Sequence, residues 1–285
     1  MEKVHAIRLL QASAGPDDIS EFRLLVDHKH IKYVTVDPYI FDDMDLIFEP
    51  TLIEILRPLL PAGDWNHARI FRATSSENSS TGNAEVQVET STQELPGILG
   101  VWHPLKIDYL ELEVSSRPRS NMCEATCSKI PGQFIVKLAR FHWEIAQLER
   151  ETAAYKWIDG HNIGPEFLGH LTEHGRVIRF AISKIEEARH ATPDDLDVCR
   201  QALRRLHTLG IKHGDTNKHN FLIHPHGVAM IDLEFAEQNA TEAELNEELY
   251  GLEQQLADTS GKGGVNFVEF VDGTSSSDRV ETGEQ

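Results

Sequence analysis

The chain has 285 residues, 40% hydrophobic and 26% charged, which is the balance of a globular protein with room for one large domain or two small ones. Its formal net charge of −19 repels phosphate backbones, which argues against nucleic acid as a partner but leaves room for a small basic pocket that takes a nucleotide. No apolar run reaches the roughly 18 residues of a membrane span, and the N-terminus MEKVHAIRLLQAS is too short in its apolar core for a signal peptide; a cytoplasmic location is expected, with the nucleus open and no membrane partner.

Residues 1–72 read as ordered. EFRLLVDHKHIKYVTVDP predicts two strands about a polar turn near Asp27–His30, and TLIEILRPLLP a short apolar helix stopped by Pro58 and Pro61. Residues 73–94 are rich in Ser, Thr, Glu and Asn, the make-up of a mobile loop or linker. IDYLELEV at 107–114 alternates as a strand does, SSRPRSN follows as a turn, and GQFIVKLA at 132–139 is another strand whose apolar run Lys137 interrupts. A helix is predicted over about 143–158, ended by Gly160 and the HNIGP turn. EFLGHL and RVIRFAIS are two more strands. ATPDDLDVCRQALRRLHTLG is a helix with Thr192 as N-cap, Pro193 in the first turn, acids at its positive end and Gly210 after it. FLI and VAMI are short strands flanking HPHG. A last helix over about 241–256 carries Leu245, Leu249, Leu252 and Leu256 at helical spacing, and a polar tail expected to be disordered runs from about Ser260.

The chemistry gathers in two polar loops. His213-Gly214-Asp215 followed by Asn220, then Ile231-Asp232-Leu233-Glu234, resemble the catalytic and metal-binding loops of the protein-kinase-like fold. The HGD form, with an acid two places after the second aspartate, is more similar to the small-molecule branch that includes aminoglycoside and choline phosphotransferases. Upstream, Phe134-Ile135-Val136-Lys137 resembles the kinase third strand with its phosphate-binding lysine. The stretch from Arg150 to Ile158 resembles the following helix, whose glutamate pairs with that lysine. The resemblance covers roughly residues 101–258, and the chain also resembles a fungal kinase-like group.

That resemblance implies a two-lobed α+β fold. Residues 101–185 would form a small antiparallel N-lobe sheet and 186–259 a short, mainly helical C-lobe, with residues 1–100 as an N-terminal extension and 260–285 as a tail. It implies ATP and Mg²⁺ as cofactors. Asp215 would orient the acceptor hydroxyl, with Lys137 and Glu151 completing the catalytic set. Asn220 and Asp232 would be the metal ligands, and Ile135, Lys137, Ser183, Lys184 and Ile185 the nucleotide contacts. The residue types suit the task, because phosphoryl transfer is mostly positioning plus electrostatics. A lysine holds the donor phosphates, a helix carboxylate anchors its flexible stem, and Mg²⁺ takes hard oxygen ligands. On a strand, Ile135 and Lys137 share a face and can line one pocket.

Several points stay open in the sequence. Glu149 and Glu144 compete with Glu151 for Lys137. His213 reads as structural, packed near the backbone of the second aspartate. His219, His224 and His226 read as exposed histidines, and Cys123, Cys127 and Cys199 as reduced thiols, since no zinc-type pattern frames them. Lys218 is either a phosphate contact or a surface lysine. No Gly-x-Gly-x-x-Gly precedes the lysine strand; SSRPRSN stands in its place, where Ser and Arg could contact phosphates. Glu234 replaces the glycine usual in protein kinases, no activation segment with an Ala-Pro-Glu end follows, and a small C-lobe is expected. The first functional reading is an ATP-dependent phosphotransferase on a hydroxyl of a small molecule or unknown acceptor. The alternatives are a pseudokinase serving as a nucleotide-binding or interaction module, and a protein Ser/Thr kinase, which the missing activation segment disfavours. Residues 1–100 show no catalytic constellation and are expected to pack onto the kinase-like part.

Overall fold

The structure is a computed structural model that describes residues 6–15, 17–73, 85–119 and 121–260. Alternation in the first third of the chain builds a sheet of its own. β1 (Ile7–Ser13), β2 (Ser20–Val26) and β3 (His30–Val36) run antiparallel. α1 (Asp43–Ile47) and α2 (Glu49–Leu56) carry the chain back, so that β4 (His67–Arg72) adds parallel to β3 and β5 (Val86–Ser91) pairs antiparallel with β4. Phe22, Leu24, Val34, Val36 and Ile70 of the sheet pack with Leu52 and Leu56 of α2 in one apolar cluster.

The polar stretch 73–94 is therefore not loop throughout. Within it Val86 and Val88 alternate with Gln87 and Glu89, and the valines pack against the cluster while the polar residues fill the other face. Residues 74–84 of the expected linker lie outside the described residues, as does the expected tail beyond Ser260.

The second sheet holds β6 (Lys106–Asp108), β7 (Glu113–Arg119), β8 (Met122–Cys127), β9 (Ile130–Leu138), β10 (Phe167–Glu173) and β11 (Arg176–Ser183) in the order β6-β10-β11-β9-β8-β7. All neighbours are antiparallel except β6 and β10. α3 (Ile145–Ile158) connects β9 to β10. Two local expectations change here. Residues 107–114 are not one strand: the Asp108 carboxylate accepts the Leu110 N–H at 2.9 Å and Glu111 accepts the Asp108 N–H at 3.2 Å, a reciprocal cap that breaks the strand into β6, a 3₁₀ turn and the start of β7. SSRPRSN is not a turn either, since β7 runs on to Arg119. Pro118 is tolerated because β7 is an edge strand.

β12 (Arg189–His190) opens the C-terminal lobe. α4 (Leu196–His207) follows a 3₁₀ turn over Pro193–Asp195, where Thr192 and Asp195 cap each other, and Gly210 leaves the helix at φ 69°. β13 (Ile211–Lys212), β14 (Phe221–His224), β15 (Gly227–Met230), β16 (Glu237–Gln238) and α5 (Glu242–Ala257) complete it. Leu203, Leu206, Phe221, Met230 and Leu252 share one core with Tyr155 and Phe180 of the sheet lobe. This is the two-lobed kinase-like α+β fold, with the cleft between its lobes. Among the described residues no helix is long and apolar enough to cross a membrane.

The N-terminal sheet packs onto the kinase-like part through a buried polar cluster. Glu173 accepts Arg23 Nε at 2.9 Å, Tyr33 Oη at 2.7 Å and Arg176 Nη2 at 2.8 Å, and Arg23 Nη1 also reaches Gln11 at 2.6 Å. Arg179 lies wholly buried, its guanidinium 3.8 Å from the centre of the Tyr109 ring, and among the described residues none of its three nitrogens donates a hydrogen bond. Leu10, Leu25, Ile31 and Tyr109 pack around this cluster.

Candidate active site

β9 alternates so that Phe134 and Val136 enter the sheet core while Ile135 and Lys137 line the cleft. Lys137 Nζ lies 2.6 Å from Glu151 Oε1 of α3 and also donates to the Asp232 carboxylate. Burial alone would lower the Lys137 pKa, but the carboxylates of Glu151 and Asp232 more than offset it and hold the ammonium charged. The competing glutamates are engaged elsewhere. Glu144 holds Arg140 Nε at 2.9 Å, and Glu149 accepts the N–H groups of Leu99 and Gly100, both at 2.7 Å.

The first loop is fixed from beneath. Gly214 sits at φ 83°, and a Cβ there would stand 2.3 Å from the Phe235 backbone oxygen, so only glycine fits. His213 is fully buried, and burial pushes its pKa down. Its neutral ring donates from Nε2 to the Ile231 carbonyl at 3.1 Å and accepts the Asp215 N–H at Nδ1 at 3.3 Å. His213 thus ties the Asp215 loop to the residue before Asp232. Glu248 of α5 accepts the N–H groups of His213 at 3.1 Å and Gly214 at 2.7 Å and pairs with His207 at 2.8 Å.

Within that frame the Asp215 Oδ2 accepts the side-chain amides of Asn217 at 2.9 Å and Asn220 at 3.1 Å. Asn220 Nδ2 also donates to the Asp215 carbonyl at 2.9 Å, which commits its nitrogen and leaves its carbonyl oxygen. Asp232 adopts a left-handed backbone, φ 58° and ψ 57°, an uncommon state for a residue with a Cβ. The Asp232 carboxylate and the Asn220 carbonyl are the hard oxygen donors that Mg²⁺ prefers, so the residues present fit that ion. The cleft measures about 1110 Å³, and its walls include Ile135, Lys137, Glu151, Asp215, Asn220 and Asp232, together with Ser183, Lys184 and Ile185 at the end of β11. Every site residue expected from the sequence lines this one cleft.

Other expectations change. Lys218 is not among the residues lining the cleft: its Nζ donates to the Asp258 carbonyl at 2.8 Å and ties the loop to the end of α5. Where a glycine-rich loop was sought, the β7–β8 hairpin brings Asn121 and Met122 to the cleft, with Met122 opposite Lys137. Arg117 turns away from it and donates to the Leu10 carbonyl at 2.8 Å, while the Ser115 hydroxyl donates to the Glu124 carbonyl. His219 lines the cleft beside His190, their rings 5.2 Å apart, whereas His224 and His226 face each other on the β14–β15 hairpin. Among the described residues no three His, Cys, Asp or Glu side chains gather as a metal site. Sequence reasoning missed Asn217 and Glu248. Glu248 carried a signal, since it lies three residues after Leu245 and four before Leu252, a carboxylate on an apolar stripe.

A model of the lipopolysaccharide kinase (Kdo/WaaP) family, part of the protein-kinase-like superfamily, matches residues 186–270, a stretch that contains Asp215, Asn220 and Asp232. The C-terminal lobe is similar to that family, a different one from the aminoglycoside and choline phosphotransferases to which the motif form is similar. No curated protein matches the chain.

Proposed function

We propose that the chain is an ATP- and Mg²⁺-dependent phosphotransferase that acts on a hydroxyl group of a small molecule. The observation that carries this reading is Lys137, bonded to both Glu151 and Asp232 in the cleft that Asp215 and Asn220 also line. The match of the C-terminal lobe to a kinase family supports the same reaction class.

Each residue then has a physical task. Lys137, held charged on a stem fixed by Glu151, presents a positioned cation to the donor phosphates. Ile135 offers apolar surface and residues 183–185 a strand end along which a nucleotide base can lie. Asp232 and Asn220 would hold Mg²⁺, which neutralises charge on the donor phosphates when bound. Asp215 Oδ2 is occupied by two amides, while Oδ1 makes no hydrogen bond among the described residues. Oδ1 is therefore the atom that orients the acceptor hydroxyl and takes its proton.

The acceptor is read as small because the chain passes from Asp232 through a single 3₁₀ turn and the short β16 into α5 at Glu242, with no platform among the described residues on which a peptide could dock. This disfavours a protein Ser/Thr kinase. The hairpin over Lys137 lacks a glycine run, which favours the pseudokinase reading in that one respect. Calorimetric titration with ATP in Mg²⁺ and in EDTA, followed by a turnover assay, separates the two. Mg²⁺-dependent binding with turnover supports the phosphotransferase; binding with no phosphate released or transferred supports the nucleotide-binding module; no binding in either buffer contradicts both.

A further inference from the structure

α3 turns two polar side chains, one helical turn apart, toward the cleft: Gln147 and Glu151. Glu151 reaches Lys137 at 2.6 Å. Gln147 reaches the other wall, where its amide donates to the carboxylate of Glu234, two residues past Asp232. Arg150 adds a longer contact from Nε to the Glu234 backbone oxygen at 3.3 Å. Lys137 is itself bonded to Asp232. These contacts close a ring. It runs from Lys137 to Glu151, along one turn of helix to Gln147, across to Glu234, back to Asp232 and on to Lys137.

Apolar packing through Leu148, Tyr155 and Ile158 seats α3 in the core, and the Lys137–Glu151 contact fixes one polar distance to the sheet. The Gln147–Glu234 contact on the same face, one turn away, adds a second polar tie, this one to the Asp232 loop. Both hydrogen bonds involve a charged group, which makes them stronger than neutral ones. The acid at position 234, where protein kinases carry glycine, supplies the acceptor for the second contact.

We propose that Gln147 and Glu234 are positioning residues for the phosphoryl-transfer site. Their hydrogen bond sets α3 and the Asp232 loop in one register, so that Lys137, Glu151 and Asp232 are assembled together. The proposal rests on the phosphotransferase reading of the same cleft.

The test uses the full chain with Gln147→Ala, Gln147→Glu, Glu234→Gln and the exchange variant Gln147→Glu/Glu234→Gln. Two quantities are measured: the affinity for Mg²⁺·ATP by calorimetry, and hydrogen exchange of the Ile145–Ile158 amides. Gln147→Ala should weaken Mg²⁺·ATP binding about tenfold, the usual effect of losing a hydrogen bond to a charged group, and should speed exchange along α3. Gln147→Glu sets two carboxylates face to face and should do more. Glu234→Gln keeps an acceptor oxygen and should lose less than Gln147→Ala. The exchange variant restores an amide-to-carboxylate bond with the roles reversed, and should recover both affinity and protection. Wild-type binding that is unchanged in Gln147→Ala and Gln147→Glu, or an exchange variant no better than Gln147→Glu, would overturn the clamp. Wild-type protein that binds no Mg²⁺·ATP would instead overturn the phosphotransferase reading on which it rests.

Discussion

Glu173, the last residue of β10, is buried against Arg23 of β2, 150 positions earlier in the chain, and the same carboxylate also accepts Tyr33 and Arg176. One side chain therefore joins the N-terminal sheet to the kinase-like part. Burial would raise its pKa, yet Arg23, Arg179 and Arg176 together pull it down to about 2. Glu173→Ala should leave the neighbouring guanidiniums without their shared carboxylate and destabilise the protein by about 3–5 kcal/mol. The stabilisation from the wild-type carboxylate should be complete above its ordinary pKa of 4.5 and fade as pH falls toward 2. Denaturant unfolding between pH 7 and pH 2 checks both, and a loss under about 1 kcal/mol would contradict the seam's role.

Arg179 is the opposite case. Burial, then the nearby Arg23, lower its pKa to about 10, so folding disfavours its charge at every pH below that value. The ring of Tyr109 returns part of this through its face. Arg179→Met keeps the apolar stem and removes the guanidinium, and it should be neutral or stabilising by about 1–3 kcal/mol. A lowered melting temperature would show that the stacked guanidinium holds the seam.

Glu248→Ala removes the acceptor for two backbone N–H groups and for His207. It should cost about 2–3 kcal/mol and loosen the Asp215 loop. Burial raises the Glu248 pKa, and the bonds from His207, Gly214 and His213 more than reverse that, leaving it below the usual range. Its contribution should hold above pH 4.5 and fall on further acidification. Thermal unfolding of wild type and variant across that range is the check.

Gly214→Ala should be more damaging than its size implies, because its methyl would meet the Phe235 carbonyl and its φ of 83° suits only glycine. The loop must move, and Asp215 with it. A fall in turnover of at least about a hundredfold, with soluble protein still formed, is the expected outcome; a near wild-type rate would mean that the loop geometry is not limiting.

What the sequence made legible follows from how local each signal is. The helix expected between Thr192 and Gly210 carried its cap and its stop in one stretch, and the structure keeps it as α4, with its first turn tightened to 3₁₀ over Pro193–Asp195. The strand of Lys137 and the loops of Asp215 and Asp232 were visible as motifs, and the fold brings them to one cleft. The choice of Glu151 over Glu144 and Glu149 was not legible, since all three lie within two helical turns and only the partners Arg140, Leu99 and Gly100 separate them. The stretch 107–114 does not hold as one strand because its alternation changes phase between Tyr109 and Leu110, where Asp108 and Glu111 cap a 3₁₀ turn. The Arg23–Glu173 contact had no signature at all, because both residues look like solvent-face charges until the two sheets meet.

The most direct test of the account compares Asp232→Asn with Asp215→Asn in the full chain, by titration with ATP in Mg²⁺ and by turnover. Both substitutions keep the side-chain shape and remove a charge. Asp232→Asn should abolish Mg²⁺-dependent ATP binding, because on this account the Asp232 carboxylate would be the charged oxygen ligand of the ion. Asp215→Asn should bind Mg²⁺·ATP as wild type does and lose about 10²–10⁴-fold in turnover, because on this account the Asp215 carboxylate would face the acceptor and act on the donor only in the transition state. That split is the predicted result. Turnover that survives both substitutions would place the chemistry outside this cleft and contradict the account.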